Sequence, residues 1–385
     1  MIYLDYSATT PVMEEVLDSY IKVTKDFIGN ANSIHNLGVK SKEMLMKATK
    51  QISEILGCDK DEIVYTSGAS ESNSTALKGV AFSLCKKGRH IISSPLEHKS
   101  VLETLKYLQS LGFEVSYVNL TSDGQVDLKH LESLVRKDTI LVSICAVNSE
   151  VGYKAPLKTI RQVVSKKNDS VIFHSDMTQA LGKTKINLID VDLASFSGHK
   201  IYAPKGIGLL YKSKKINIEP LIWGLTDNAK FRGGTPALPL IVSFSKALRI
   251  MSENFESNIS KVNKLNTLLV DGLKEVDVNI NSNNLCVPHI VNVSLKKIKS
   301  ETFVRALEKD EVYISTNSAC SSLEESTVLK HVTSDREINS TSIRISLSHF
   351  TTKLESALWA PSKINSGFSA TVSSRPRCRT DRRPA

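Results

Sequence analysis

The middle of the chain contains the stretch Val191-Asp192-Leu193-Ala194-Ser195-Phe196-Ser197-Gly198-His199-Lys200, a short apolar run that ends in polar side chains. The apolar part predicts a buried strand of a sheet that is covered on both faces. A lysine at the end of such a strand can lose its hydration and become a nucleophilic amine. For a lone lysine, an exposed position in a turn is the better explanation. The rest of the sequence therefore has to decide between the two.

The same pattern recurs from about residue 60 to residue 245, where short β-rich runs alternate with helical stretches. We predict strands at residues 62–66, 90–93, 114–118, 140–144, 171–174, 193–196 and 207–211. Helices with apolar residues at three- and four-residue spacing fit between them, as at 100–111 and 128–135. Such alternation indicates an α/β fold with a mostly parallel sheet, whose sites form at the carboxyl ends of the strands.

The pattern changes after about residue 245. A long helical segment near 243–273 leads into strands near 289–294 and 312–315, which predicts a smaller α+β domain that the N-terminal residues complete. Residues 356–385 are rich in Ser, Pro and Arg without an apolar period, so we expect disorder there. We expect three parts: a large domain at 16–245, a small domain formed by 1–15 with 246–355, and the atypical tail at 356–385.

Composition and charge argue against membrane and nucleic-acid partners. Of the 385 residues, 41% are hydrophobic and 23% are charged, as in an ordinary globular protein. No apolar run is long enough to cross a bilayer, and the first residues lack a secretory signal pattern, so we expect a cytoplasmic protein without a membrane partner. The net charge is +10, and the tail carries six of the basic side chains and one acid. With no basic stripe in the body, we expect no nucleic-acid partner.

The six cysteines are scattered, with no CxxC spacing. We therefore expect no metal site, and at most one chemically special thiol. Cys320 stands among small polar residues after a predicted strand, a setting in which a thiolate is accessible, unlike the apolar surroundings of Cys145. An unreactive loop cysteine explains the same pattern when Cys320 is taken alone.

Arg344 could hold a carboxylate with two N–H groups, or could lie on the surface of a strand.

Three further motifs follow predicted strands. Residues 66–73, Thr-Ser-Gly-Ala-Ser-Glu-Ser-Asn, open a helix and would suit a phosphate, although an ordinary capped helix explains them too. Asp176, with Gln179 three residues on, could keep a heterocyclic nitrogen protonated, as pyridoxal phosphate requires, or could cap a helix. His98 could stack on a planar cofactor, or could be a surface histidine.

In combination these motifs resemble a known family. The chain is similar to the cysteine desulfurases, which belong to the pyridoxal-phosphate-dependent class V aminotransferase superfamily. The resemblance extends from Tyr3 to about Thr352. It rests on these motifs in order: Ala8-Thr9-Thr10, 66–73, Glu97-His98, Asn148-Ser149-Glu150, 176–179, 197–200 and Ser318-Ala319-Cys320. It implies fold type I of the pyridoxal-phosphate-dependent transferases.

The resemblance also implies a role for each matching residue. Lys200 would hold the cofactor as a Schiff base and move protons, while the Cys320 thiolate would accept sulfur from the substrate. His98 would stack on the cofactor ring. The residues implied to bind pyridoxal phosphate are Ala69 (through its backbone), Ser70, His98, Asn148, Asp176, Gln179, Ser197, His199, Lys200 and Thr235, the last from the other subunit of a dimer. Asn148 and Arg344 would hold the substrate carboxylate.

The implied reaction converts L-cysteine to L-alanine and passes sulfur, through a persulfide on Cys320, to an acceptor protein for iron–sulfur clusters or thio-cofactors. A selenocysteine lyase, a cysteine sulfinate desulfinase or a small-amino-acid aminotransferase stays an alternative, as does a non-catalytic regulator that binds nucleic acid through the tail. Three segments depart from the family pattern: the loop Gly224–Phe231, Ser348-His349 after Arg344, and the tail after Glu355. The altered loop bears on substrate preference. The tail is either a frameshift or fusion scar or a lineage-specific extension.

Overall fold

The computed structural model describes residues 1–224, 231–296, 298–316, 328–353 and 355. Its central feature is a seven-stranded sheet with the strand order β2-β8-β7-β6-β5-β3-β4. The strands are β2 (Ile63–Thr66), β3 (His90–Ser93), β4 (Glu114–Tyr117), β5 (Thr139–Ser143), β6 (Ile172–Asp176), β7 (Leu193–Ser197) and β8 (Gly208–Lys212). Six of these strands run in the same direction, and β8 is antiparallel to both of its neighbours, β2 and β7. Each predicted strand matches one of them within two residues at either end.

Helices cover both faces of this sheet. In chain order they are α1 (Glu14–Asp26), α2 (Asn36–Leu56), α3 (Ala69–Leu84), α4 (Lys99–Ser110), α5 (Leu128–Leu134), α6 (Leu157–Lys167) and α7 (Leu238–Glu253). Successive strand residues point to opposite faces, so Leu193 packs with α3 and α4 while Ala194 packs with α1, α2 and α7. The inner strands β3, β5, β6, β7 and β8 are buried on both faces, as expected of a sheet covered by helices, whereas the edge strands β2 and β4 are partly exposed.

The part of the chain after α7 forms a smaller α+β unit. Its elements are α8 (Phe255–Lys274), β9 (Asn279–Ile280), β10 (Ile290–Ser294), α9 (Ser300–Glu308), β11 (Val312–Tyr313), α10 (Arg336–Ser340) and β12 (Ser342–Ser346). Strands β12, β10 and β9 pair antiparallel. The N-terminal strand β1 (Ile2–Tyr3) pairs parallel with β11, so the first residues do complete this unit.

The helical segment expected near residues 243–273 is two helices. Helix α7 ends at Glu253, and the side-chain amide of Asn254 donates to the carbonyl of Ile250. The backbone N–H of Asn254 donates to the same carbonyl, and the backbone of Asn254 leaves the helical conformation at φ −103° and ψ 13°, so the chain turns there and α8 begins at Phe255.

The small unit has its own apolar core, and the large unit has one on each face of its sheet. The small core gathers Leu4 with buried residues from 262 to 347. In the large unit, buried residues of α7 continue as far as Met251. The predicted domain boundary at residue 245 therefore lies inside α7, and the proposed division stays a prediction. In the described part of the chain no helix is both long and apolar enough to cross a membrane.

Candidate active site

A cavity of about 460 Å³ lies at the carboxyl edge of the parallel strands, where such sheets bind ligands. It is bounded by the segments that follow β2, β3, β5, β6 and β7, together with the N-terminal residues Ser7 and Ala8. The lining includes nine of the residues predicted from the sequence: Ala69, Ser70, His98, Asp176, Gln179, Ser197, His199, Lys200 and Arg344. Residues from five strand ends and from the distant strand β12 thus meet around one space.

Lys200 lies in a short 3₁₀ turn, Gly198–Lys200, directly after β7. Its Nζ donates hydrogen bonds to the backbone carbonyls of Ser7 and Ala8, each at 2.6 Å. The N-terminal segment therefore holds the amine at the cavity wall. An amine in this position can reach a carbonyl compound that enters the cavity.

Asp176 is the last residue of β6 and is buried. Its Oδ1 accepts a hydrogen bond from the backbone N–H of Thr178 at 2.9 Å, and its Oδ2 accepts one from Asn73 Nδ2 at 2.7 Å. Each oxygen keeps a further lone pair, because a carboxylate oxygen accepts about two hydrogen bonds. Asp176 can therefore accept one more N–H from a ligand in the cavity.

His98 caps α4, where its Nδ1 accepts a hydrogen bond from the backbone N–H of Ser100 at 3.1 Å. A backbone N–H can only donate, so Nδ1 carries no proton and the neutral ring is protonated at Nε2. Burial lowers the pKa of His98; the charge of Asp176 opposes this shift and that of Lys200 adds to it. The ring is thus a neutral, flat face on one side of the cavity.

The start of α3 forms a cradle suited to an anion. The first N–H groups of a helix have no partner within the helix, and α3 begins at Ala69 on the cavity wall. Gly208 permits this arrangement, since a Cβ there would lie 2.5 Å from Gly68 Cα. Ser70 and the exposed Lys205 add a hydroxyl and a positive charge to the same lining.

Ser197 and His199 also line the cavity, on the segment that leads to Lys200. His199 Nδ1 lies 3.1 Å from Thr9 Oγ1. Burial, followed by the positive charges of Lys200 and Lys205, lowers the pKa of His199 to about 4. Near neutral pH this ring is uncharged, and it contributes a hydrogen bond to the cavity wall.

Gln179 lies between a buried lysine and the N-terminal segment. Its Oε1 accepts a hydrogen bond from Lys183 Nζ at 3.2 Å, and its Nε2 donates to the Ser7 carbonyl at 2.8 Å. Because the Ser7 carbonyl can only accept, the NH₂ end of the amide faces Ser7 and the oxygen faces Lys183. Burial lowers the pKa of Lys183 to about 7, with the positive charges of Lys200 and Arg344 adding to the effect.

Arg344, on β12, is 1% exposed and nevertheless belongs to the cavity lining. It donates from Nη1 to the Ser149 carbonyl at 2.9 Å and from Nη2 to Asp5 Oδ1 at 2.8 Å. Its Nε has no hydrogen-bond partner among the described residues. A buried guanidinium with an unused N–H is suited to binding a carboxylate.

Asn148 and Thr235 lie apart from the cavity lining. The Asn148 amide donates to the Leu96 carbonyl and accepts from the N–H groups of Glu150 and Val151, so it braces a turn, and Ser149 is the residue at the cavity. Thr235 lines a second cavity, of about 390 Å³, which shares Ser67 and Gly206 with the first.

Cys320 falls outside the described residues, as do most of the altered loop Gly224–Phe231 and the whole tail 356–385. Within the part of the chain that is described, no group of three or more His, Cys, Asp or Glu side chains could hold a metal ion.

Several residues of this site were assigned no role from the sequence. Ser7, Ser149 and Lys205 line the cavity, and Asn73 and Lys183 hold residues that do. Asn73 is the last residue of the motif at 66–73, and that was its only signal. Ser149 stands in the motif Asn148-Ser149-Glu150, which gave it no role of its own. Ser7 and Ser149 act through backbone carbonyls, Lys183 through burial that only the fold creates, and Lys205 is an exposed lysine without a motif.

The donor set is suited to a phosphorylated aromatic aldehyde with a ring nitrogen. The Lys200 amine can bind an aldehyde, the Asp176 carboxylate can accept from a ring N–H, and the start of α3 can bind a phosphate. A cavity of about 460 Å³ falls within the usual range of about 300–1,000 Å³ for cofactor sites. The residues present therefore fit such a group.

Known proteins with similar sequences and structures were compared with this chain. The aminotransferase class-V family profile matches residues 2–356. The chain is 41% identical over 365 residues to the cysteine desulfurase IscS of Buchnera aphidicola subsp. Acyrthosiphon pisum, covering 92% of this chain and 89% of the relative. A solved NifS-like protein superimposes with a TM-score of 0.90 at 36% identity, covering 97% and 99% of the two chains. A structure described as SspA in complex with cysteine gives a TM-score of 0.80 at 32% identity, covering 91% and 100%.

Proposed function

The chain belongs to the aminotransferase class-V family and, within it, to the cysteine desulfurases, and we propose that it converts L-cysteine to L-alanine and passes the sulfur to an acceptor protein. The fold, seven strands with a smaller α+β unit, is that of the NifS-like proteins. The observation that carries the proposal is the convergence of Lys200, Asp176 and the start of α3 on one cavity. The sulfur would serve iron–sulfur clusters or thio-cofactors.

The proposed cofactor is pyridoxal 5′-phosphate. Lys200 would attach it covalently, Asp176 would accept from its ring nitrogen, and Gln179 would donate to its ring hydroxyl. His98 would stack on the ring. The phosphate would be bound by Ala69 (through its N–H), Ser70, Ser197 and His199. When bound, this cofactor supplies an electron sink for the bonds at the substrate Cα.

The chain's own residues would orient the substrate and move its protons. Arg344 would bind the carboxylate of cysteine, helped by its unused Nε–H. The Lys200 Nζ would move the proton at the substrate Cα. Asn148, predicted to share the carboxylate and cofactor contacts, is supported less well, because its amide bonds backbone groups of its own turn.

We propose Cys320 as the sulfur acceptor on the enzyme. Its thiolate would attack the substrate sulfur, so that an S–S bond forms while the substrate C–S bond breaks. The electron pair left on the carbon fragment is protonated, which yields alanine and leaves a persulfide on Cys320. Transfer of the outer sulfur to the acceptor protein then restores the thiol.

The proposed assembly is a homodimer. Thr235, predicted to contact the cofactor phosphate, lies in the second cavity and not beside Lys200 of its own chain, which is what a contact with the other subunit's site requires. Exposed apolar side chains support a buried interface: Ile28 is 76% exposed, Ile34 97% and Trp223 68%. A cytoplasmic location, and the lack of nucleic-acid and membrane partners, stay predictions from the sequence.

The test is an absorbance spectrum of the purified protein before and after cysteine is added, with alanine and sulfide measured together. We expect a visible band that Lys200→Ala abolishes, and equal amounts of alanine and persulfide sulfur. Cys320→Ala should keep the band and lose sulfide release, whereas Cys286→Ala, a partly buried thiol outside the cavity, should retain both. Full sulfide release by Cys320→Ala would overturn the persulfide step. Transamination that depends on a keto acid would indicate an aminotransferase.

A further inference from the structure

Asn73 connects two residues of the candidate site although it is absent from the cavity lining. It lies in the first half of α3 and is fully buried. Its Nδ2 lies 2.7 Å from Asp176 Oδ2 and 2.9 Å from Ser100 Oγ, and Ser100 Oγ lies 2.8 Å from His98 Nδ1. A continuous chain of hydrogen bonds therefore runs from Asp176 to His98.

The direction of each bond in this chain follows from the chemistry of the groups. A carboxylate only accepts and an amide nitrogen only donates, so Asn73 donates one hydrogen to Asp176 and the other to Ser100 Oγ. The Ser100 hydroxyl, which accepts from Asn73, has one hydrogen left to donate. Its other neighbour, His98 Nδ1, also accepts from the Ser100 backbone N–H and so carries no proton. The hydroxyl therefore donates to Nδ1.

Stability alone does not account for the amide at this position. The Oδ1 of Asn73 is buried without a hydrogen-bond partner among the described residues, which costs free energy of folding. A leucine, which has the same number of side-chain heavy atoms in the same branched arrangement, carries no polar atom and would avoid that cost within the apolar interior that α3 otherwise enters. The amide is useful only through its two N–H groups, which point to Asp176 and to Ser100.

We propose that Asn73 is a positioning residue of the cofactor site: it fixes the orientation of the Asp176 carboxylate and holds the Ser100 hydroxyl in the position from which it donates to His98. The inference rests on the proposed function, in which Asp176 meets the edge of the cofactor ring and His98 its face. One side chain thereby holds the groups that contact two sides of the same ring. Removing its donors changes both contacts at once.

The test uses the full-length protein with Asn73→Leu, which removes both donors and keeps most of the volume. The matched control is Ser74→Ala, the next residue of α3, whose hydroxyl contacts Thr104 and not the chain from Asp176 to His98. The first readout is the ¹⁵N resonance of His98 Nδ1 in cofactor-free, [¹⁵N]histidine-labelled protein, assigned with His98→Gln. In Asn73→Leu we expect it to move towards the value of a nitrogen with fewer hydrogen bonds, and in Ser74→Ala to stay in place.

The second readout is affinity for pyridoxal phosphate. We expect Asn73→Leu to raise Kd about tenfold or more, as the loss of a hydrogen bond to a charged group does. Ser74→Ala should bind as the wild type does.

If Asn73→Leu does not fold, Ser100→Ala interrupts the same chain and should move the His98 resonance. An unchanged resonance in these variants overturns the inference, as does an unchanged Kd in Asn73→Leu. If the wild type takes up no pyridoxal phosphate, the proposed function fails. The His98 resonance, which is measured in cofactor-free protein, still tests the role of Asn73 in that case.

Discussion

Asp5 and Arg344, separated by 339 residues of sequence, form an ion pair in which Arg344 Nη2 donates to Asp5 Oδ1 at 2.8 Å. Arg344 is almost completely buried and the side chain of Asp5 is 18% exposed. Removing one partner of a buried pair leaves the other charge uncompensated, which costs more than the pair itself contributes. The N-terminal segment thus neutralises the cation that faces the cavity.

We expect Asp5→Ala to lower the free energy of unfolding by about 2 kcal/mol or more, because the Arg344 charge would stay buried without its partner. Urea denaturation of the cofactor-free protein measures this. The control is Asp277→Ala, which breaks an exposed pair with Lys296 and should cost no more than about 0.5 kcal/mol. Equal stabilities of the two variants would contradict the importance of the buried pair.

Gly208→Ala should disrupt the anion cradle. Its Cβ would lie 2.5 Å from Gly68 Cα and 2.7 Å from the Phe196 carbonyl oxygen, so backbone must move at the start of α3. We expect a loss of about 2 kcal/mol in stability and at least tenfold weaker binding of pyridoxal phosphate, both measured by titration.

Gly57→Ala is the control for this substitution. Gly57 has open space around its Cβ position but a φ of +68°, so alanine should cost about 1 kcal/mol through strain. The residue is remote from the cavity lining, and affinity for pyridoxal phosphate should be unaffected. A Gly208→Ala protein that keeps full affinity would show that the close approach to Gly68 does not shape the phosphate site.

Lys183 should make stability depend on pH. Burial, with Lys200 and Arg344 adding to it, lowers its pKa to about 7 in the folded protein, against about 10.4 in an unfolded chain. Between these values the unfolded chain binds more protons than the folded one, so the free energy of unfolding rises with pH. Below about pH 7 the folded protein bears the full cost of the buried charge.

Lys183→Met should remove that rise, which amounts to about 1.4 kcal/mol per pH unit in this window. Denaturant unfolding of the cofactor-free protein at several pH values from 7 to 10 measures the slope. The exposed Lys185, whose side chain is 78% exposed, provides the control, and Lys185→Met should leave the slope unchanged. An identical slope in Lys183→Met and the wild type would contradict a neutral Lys183 in the folded protein.

Most strands of the large sheet were predictable because they are short runs rich in apolar and β-branched residues, bounded by polar ones. The run at 191–196, for example, becomes β7, which extends from Leu193 to Ser197. The break at Asn254 was not predictable, because both flanking segments keep a helical period, and the bond from the Asn254 side chain to the Ile250 carbonyl is visible only in the structure.

In the site, residues that present a functional side chain directly after a strand were predictable, as Asp176 and Lys200 illustrate. Ser7 was missed because it acts through its backbone carbonyl, a group that every residue has. Asn148 and Ser149 could not be told apart in sequence, since which of two neighbours faces the cavity depends on how the turn is braced.

Leu4 and Asp5 are synthesised long before the residues that they contact. Leu4 enters the small core and Asp5 meets Arg344, while the carbonyls of Ser7 and Ala8 hold Lys200. Contacts of such long sequence separation are slow to form in folding. A nascent chain that has produced the whole large sheet would therefore still lack its small core and the charge partner of Asp5, so the arginine side of the site is added only after β12 has been made.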